Sequence, residues 1–210
     1  MKYTLKNPEN LCVRGPDGET HTGGSQEWYA DPWRKKAGCG PVAAANIIWY
    51  AARPEREKNN SEARAEPDGK QRFAALMDEM ITHIVPTMRG VNTSAIFTDG
   101  ISGYAAAHKL NFAPLALEVP AQAGKRPGPA EVGAFIANAI QDDMPVAFLN
   151  LSNGSLKNLD SWHWVTIFAF DGETMDADFC DQGKVFTVNI NEWLDTTLLG
   201  GAFARIAAAR

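Results

Sequence analysis

The sequence predicts an α+β fold: a helical N-terminal lobe with one buried central helix, packed on an antiparallel sheet built from residues 143–210. Three observations point there. The run "PVAAANIIWYAA", residues 41–52, is apolar around almost the whole helical circumference, as a helix inside a domain must be. Helical spacing then recurs as far as residue 142, and beyond it short runs rich in aromatic and β-branched residues are divided by turn signals. A chain of 210 residues is long enough for one sizeable core, so a single domain over 1–210 is expected, with an N-terminal arm (1–21), a mainly helical half (22–142) and a mainly β half (143–210).

Each element has its own warrant. Residues 1–21 are polar and glycine-bearing and read as an arm or short hairpin. The central helix is expected to begin at Pro41, which suits a first turn, and to stop before Pro54. The charged, turn-rich "RPEREKNNSEARAEPDGKQ" reads as a surface loop in preference to a flap on the substrate side. "RFAALMDEMITHI" and "TSAIFTDGISGYAAAHKL" read as supporting helices, the second capped by Ser94 with Ile96, Ile101, Tyr104 and Leu110 toward the core. "PAEVGAFIANAIQ" makes another, with Pro129 in its first turn and Val132, Phe135, Ile136 and Ile140 on one side. "PVAFLNL", "HWVTIFAF" and the more openly alternating "KVFTVNI" read as strands, separated by the turns "SNGS" and "FDGE".

Composition removes several classes of function. A net charge of -5 gives no electrostatic footprint for nucleic acid or an anionic membrane. No stretch approaches the roughly 20 apolar residues of a membrane span, and the start "MKYTLKNPENLCVRG" lacks the apolar core of a signal peptide, so a cytoplasmic location is expected. Cys12, Cys39 and Cys180 are odd in number and far apart, which argues against a disulfide framework. No Cys-x-x-Cys or His-x-x-x-His pattern suggests zinc, and no Gly-x-Ser-x-Gly elbow suggests a serine hydrolase. No metal or organic cofactor is expected.

The reactive candidate lies in "GCGPVAAANII". A cysteine just ahead of a buried helix sits where unpaired backbone N–H groups and the helix dipole stabilise negative charge on its sulfur. Gly38 and Gly40 beside it leave room for a substrate backbone to approach. A nucleophile needs a base, and His163 in "SWHWVTIFAFDG" opens a strand with two apolar faces, with Trp162 and Trp164 placed to exclude water from an imidazolium–thiolate pair. His83 and His108 fall in amphipathic helices and His21 in the polar arm, settings that fit surface or boundary residues. A group that orients the imidazole should lie on the neighbouring strand. "ETMDADFCDQGK" offers Asp176, Asp178 and Asp181, of which Asp181 shares the parity of Met175, Ala177 and Phe179. Asp176 and Asp178 remain alternatives. Cys180 has the opposite parity and reads as structural, while Cys12 has no acidifying context.

"GCGPVAAANII", then "WHWVTIFAF", then "DQGK" together resemble the papain-like cysteine peptidase superfamily, in the branch of bacteriocin-leader-type peptidases and uncharacterised bacterial proteins. The resemblance covers about residues 22–52 and 145–194. It implies Cys39 as nucleophile, His163 as general base and acid, Asp181 as the orienting residue, and Gln26 of "GGSQEW" as a side-chain oxyanion donor. The spacing from Gln26 to Cys39 exceeds that of papain, so "EWYADPWRKKAG" is expected to bulge outward. The function implied is hydrolysis of peptide or isopeptide bonds in a peptide or protein substrate. The alternatives are an acyltransferase or amidase on the same scaffold and a catalytically silent binding protein.

Overall fold

The computed structural model describes residues 1–16, 18–52 and 69–208. In chain order these carry β1 (Lys2–Thr4), β2 (Cys12–Arg14), β3 (Thr20–Thr22), α1 (Pro32–Ala37), α2 (Cys39–Ala51), α3 (Gly69–His83), α4 (Ser94–Ala107), β4 (Phe112–Val119), α5 (Pro129–Gln141), β5 (Val146–Asn150), β6 (His163–Asp171), β7 (Asp176–Asp181), β8 (Lys184–Asn189), α6 (Ile190–Thr196) and β9 (Gly201–Ala208). The fold is α+β. Seven strands make one sheet in the order β4-β9-β5-β6-β7-β8, with β1 paired to the last three residues of β6, while β2 and β3 form a separate hairpin. All of these pairings are antiparallel. Among the described residues no helix is long and apolar enough to cross a membrane.

The sheet is covered on both faces, and the strand sequences require it. All five residues of β5 are buried. Because side chains alternate across a strand, Ala147 and Leu149 enter one core with α2, α3 and α4, whereas Val146 and Phe148 enter another with α5 and α6. α2 lies in the first core, and every residue from Cys39 to Tyr50 is buried. Ala43, Ala44 and Ala45 on the helix and Ala147, Ala202 and Ala204 on the strands belong to this core. The second core holds the larger side chains Phe148, Phe179, Trp193 and Phe203, with Phe148 and Phe203 stacked at 4.7 Å.

Several expectations need correction. α2 starts at Cys39, not Pro41, with Gly38 as its cap, so the cysteine is the first residue of the helix. Thr93, not Ser94, caps α4 by accepting from Ile96 N–H, while Ser94 is buried in the first turn and donates to Glu118. Leu110 lies past the end of α4 and is 38% exposed. The N-terminal arm contributes β1 to the main sheet as well as the β2–β3 hairpin. β4 lies within the half expected to be helical, and β9 was not anticipated as a strand; the two pair along eight positions. The charged segment read as a surface loop falls, for residues 53–68, outside the described residues.

Candidate active site

Four elements meet at one end of the sheet and bring together side chains from distant parts of the sequence. Gln26 opens a 3-10 turn (Gln26–Trp28) capped by Ser25, whose hydroxyl accepts from Glu27 N–H at 3.2 Å. The long interval from there to Cys39 is taken up by this turn and by α1, which Asp31 caps through Arg34 N–H at 2.8 Å. α1 leaves Trp33, Arg34 and Lys35 exposed or half-buried, while Tyr29 and Ala37 on either side of them are buried.

Cys39 is 8% exposed at the first position of α2. Gly38 and Gly40, expected to leave room for a substrate, serve the protein's own packing. A Cβ on Gly38 would lie 2.4 Å from the Arg34 carbonyl oxygen and 2.5 Å from the Tyr29 ring, and one on Gly40 would lie 2.8 Å from Val91 Cβ. The glycines let α1, Tyr29 and the Val91 segment close around the start of the helix, fixing where the sulfur sits.

His163 opens β6 opposite Asn150 of β5. Thr166 pairs with Cys180 across the β6–β7 ladder, which sets Asp181 beside Val165 and one same-face step from His163. The contact follows: His163 Nε2 and Asp181 Oδ1 are 2.8 Å apart. Asp178 instead accepts from the Thr187 hydroxyl at 2.6 Å, and Asp176 from Asn189 Nδ2 at 2.8 Å, so both serve the pairing with β8. Cys39 lies in the same cleft, close enough to the ring to raise its pKa.

Burial of the ring disfavours its charge and is the largest single influence on it. The hydrogen bond to Asp181 and the influence of Cys39 outweigh that burial and push the His163 pKa from 6.5 up to about 10. Cys180 is pushed up to about 12, first by burial and then by the Asp181 charge, which keeps it a thiol. Cys12, Cys39 and Cys180 form no disulfide.

Gln26, Cys39, His163 and Asp181 line one narrow cleft, together with Asn46, Thr166, Cys180 and Gln182. Gln26 Oε1 is buried and has no hydrogen-bond partner among the described residues. The tryptophans divide differently from expectation. Trp164 is in the core, stacked on Phe97 at 4.4 Å and donating through Nε1 to the Val91 carbonyl at 2.5 Å, whereas Trp162 is 48% exposed with φ of 58°. Of the two indoles, only Trp164 is thus enclosed by the protein.

The other histidines stand apart from the cysteine: His83 and His108 pack on Tyr104, and His108 meets Glu79 at 2.6 Å. His21 is closer to the site than the polar arm suggested, edge-on to Trp28 and behind Gly183. Sequence reasoning missed Asn46, Ser25 and Gln182. For Asn46 the signal was present: it is the one amide in an otherwise apolar helical run. The chain matches no family model, and no curated protein matches it in sequence.

Proposed function

We propose that this protein is a papain-like cysteine hydrolase acting on peptide or isopeptide bonds. The observation that carries the reading is the His163 ring, held by Asp181 through Nε2 and sharing one cleft with Cys39 at the first residue of a buried helix. A buried imidazolium beside a sulfur at a helix N-terminus favours the anionic nucleophile twice, through the ring's charge and through the helix dipole.

The roles follow from position. The Cys39 sulfur adds to an acyl carbon, and the oxygen that becomes negative is accepted by the Cys39 backbone N–H and the Gln26 side-chain amide. His163 gives its proton to the departing amine, then takes one from the water that attacks the thioester. Asp181 keeps the ring in register and stabilises its charged form.

The test is iodoacetamide labelling of each cysteine, followed by mass spectrometry between pH 5 and 9 in the wild type and in His163→Ala. Cys39 is expected to label faster than Cys12 and Cys180 at neutral pH and to lose that advantage in the variant. A Cys39 that labels no faster than the other two, or whose rate is unchanged by His163→Ala, overturns the reading.

A further inference from the structure

We infer that Asn46 is a positioning residue for the oxyanion side of this site, holding the backbone ahead of Gln26 against the helix that carries Cys39. The inference rests on the roles proposed above for Cys39 and Gln26. Asn46 lies two turns after Cys39 on α2 and is 3% exposed. Its Oδ1 accepts from Gly24 N–H at 2.8 Å, and its Nδ2 donates to Thr166 Oγ1 at 3.0 Å and reaches Cys180 Sγ at 3.6 Å. One amide therefore ties the nucleophile's helix to the strand of His163, the strand of Asp181 and the segment of Gln26.

The segment is held from its other side as well. Gly183 N–H donates to Gly24 O at 3.1 Å, Thr22 N–H donates to Gly183 O at 2.9 Å, and the Ser25 hydroxyl donates to Gln182 Oε1 at 2.5 Å. The turn that follows Asp181 thus forms one jaw and Asn46 the other. Removing Asn46 would leave the buried Gly24 N–H unpaired two residues from Gln26, and a segment that relieves this by moving carries the oxyanion donor with it. The His163 ring and Asp181 keep their own hydrogen bond, and Cys39 keeps its place as the first residue of α2.

Two small reagents separate these effects. With p-nitrophenyl acetate, the Cys39 sulfur bonds to the acyl carbon through an oxyanion, the bond to the phenolic oxygen breaks, and p-nitrophenolate leaves with the electron pair. Water then cleaves the thioester. With iodoacetamide the sulfur bonds to a methylene carbon as iodide leaves, and no oxyanion develops. Asn46→Ala is expected to slow acylation about tenfold or more while alkylation of Cys39 stays within about twofold, because only the first step uses the displaced donor. Gln26→Ala should show the same selective loss, and the double variant no further loss, since one residue acts through the other.

Equal slowing of both reagents in Asn46→Ala, no slowing at all, or a loss that multiplies with that of Gln26→Ala overturns the inference. If Asn46→Ala does not fold, Thr166→Val takes its place: it removes the acceptor of Asn46 Nδ2 at nearly constant volume and should show the same selective loss, and equal slowing or none then counts against Asn46. A wild type that acylates no faster than Cys39→Ala, or a Gln26→Ala variant without selective loss, overturns the proposed function and this inference together. Selective loss in Gln26→Ala without any in Asn46→Ala overturns this inference alone.

Discussion

A histidine that is 7% exposed would ordinarily be neutral, because the protein interior solvates an imidazolium poorly. His163 departs from that through Asp181 and Cys39, and the direction has consequences that can be measured. Its pKa is raised in the folded protein, so the charged ring contributes stability that is fully present below pH 6.5 and is lost as pH rises through about 10. In NMR titration the ring should keep its proton at pH 8, where a free histidine has lost it. The melting temperature of the wild type relative to His163→Gln should fall across the same window. Asp181→Asn removes one of the two partners. It should lower the titration midpoint and reduce hydrolytic turnover about a hundredfold or more, as expected when the group that orients a general base is neutralised. The choice of Asp181 was legible because strand parity is strict: a residue two positions from Phe179 shares its face whatever surrounds it. Asn46 was not legible as a support, since the groups it joins lie on three other segments that sequence separation hides.

At the scale of elements, the start of α2 is fixed by contacts that use the absence of side chains. Gly40 abuts Val91, whose carbonyl receives the Trp164 indole, so this glycine, the Val91 segment and the strand of His163 form one chain of contact. Gly40→Ala should therefore do more than strain the helix. We expect a loss of about 1–3 kcal/mol in urea unfolding, typical of overpacking, together with slower alkylation of Cys39 as Val91 and Trp164 shift. Elements with strong local signals were readable from sequence: α2 from its apolar circumference, β5 and β6 from their aromatic and branched residues. β9 was not, because "GAFARIAA" is made largely of alanine and glycine, which local propensity does not assign to strands. β4 was hidden in the same way by its alanines and by Pro114, a residue that strands tolerate at the edge of a sheet, where β4 lies. In both cases tertiary pairing decides the conformation.

For the molecule as a whole, the small residues of the sheet's first face matter as much as the large ones of its second. Ala204 of β9 is 1% exposed in the core shared with α2. Ala204→Leu should destabilise the protein by about 1–3 kcal/mol and broaden its unfolding transition, whereas the same substitution at exposed Ala116 of β4 should cost little. The broad division into helices and then strands was legible because periodicity is local. That the sheet carries helices on both faces was written only in β5 and β6, whose runs leave no polar side. The placement of β9 also sets an order of events during synthesis. β4 and β5 leave the ribosome well before β9, yet β9 must lie between them and pair with both. The emerging chain therefore cannot close β5 directly onto β4 and has to keep that gap open. Until β9 fills it, the sheet that backs α2 is incomplete, so a half-made molecule carries Cys39 without the full support of its site.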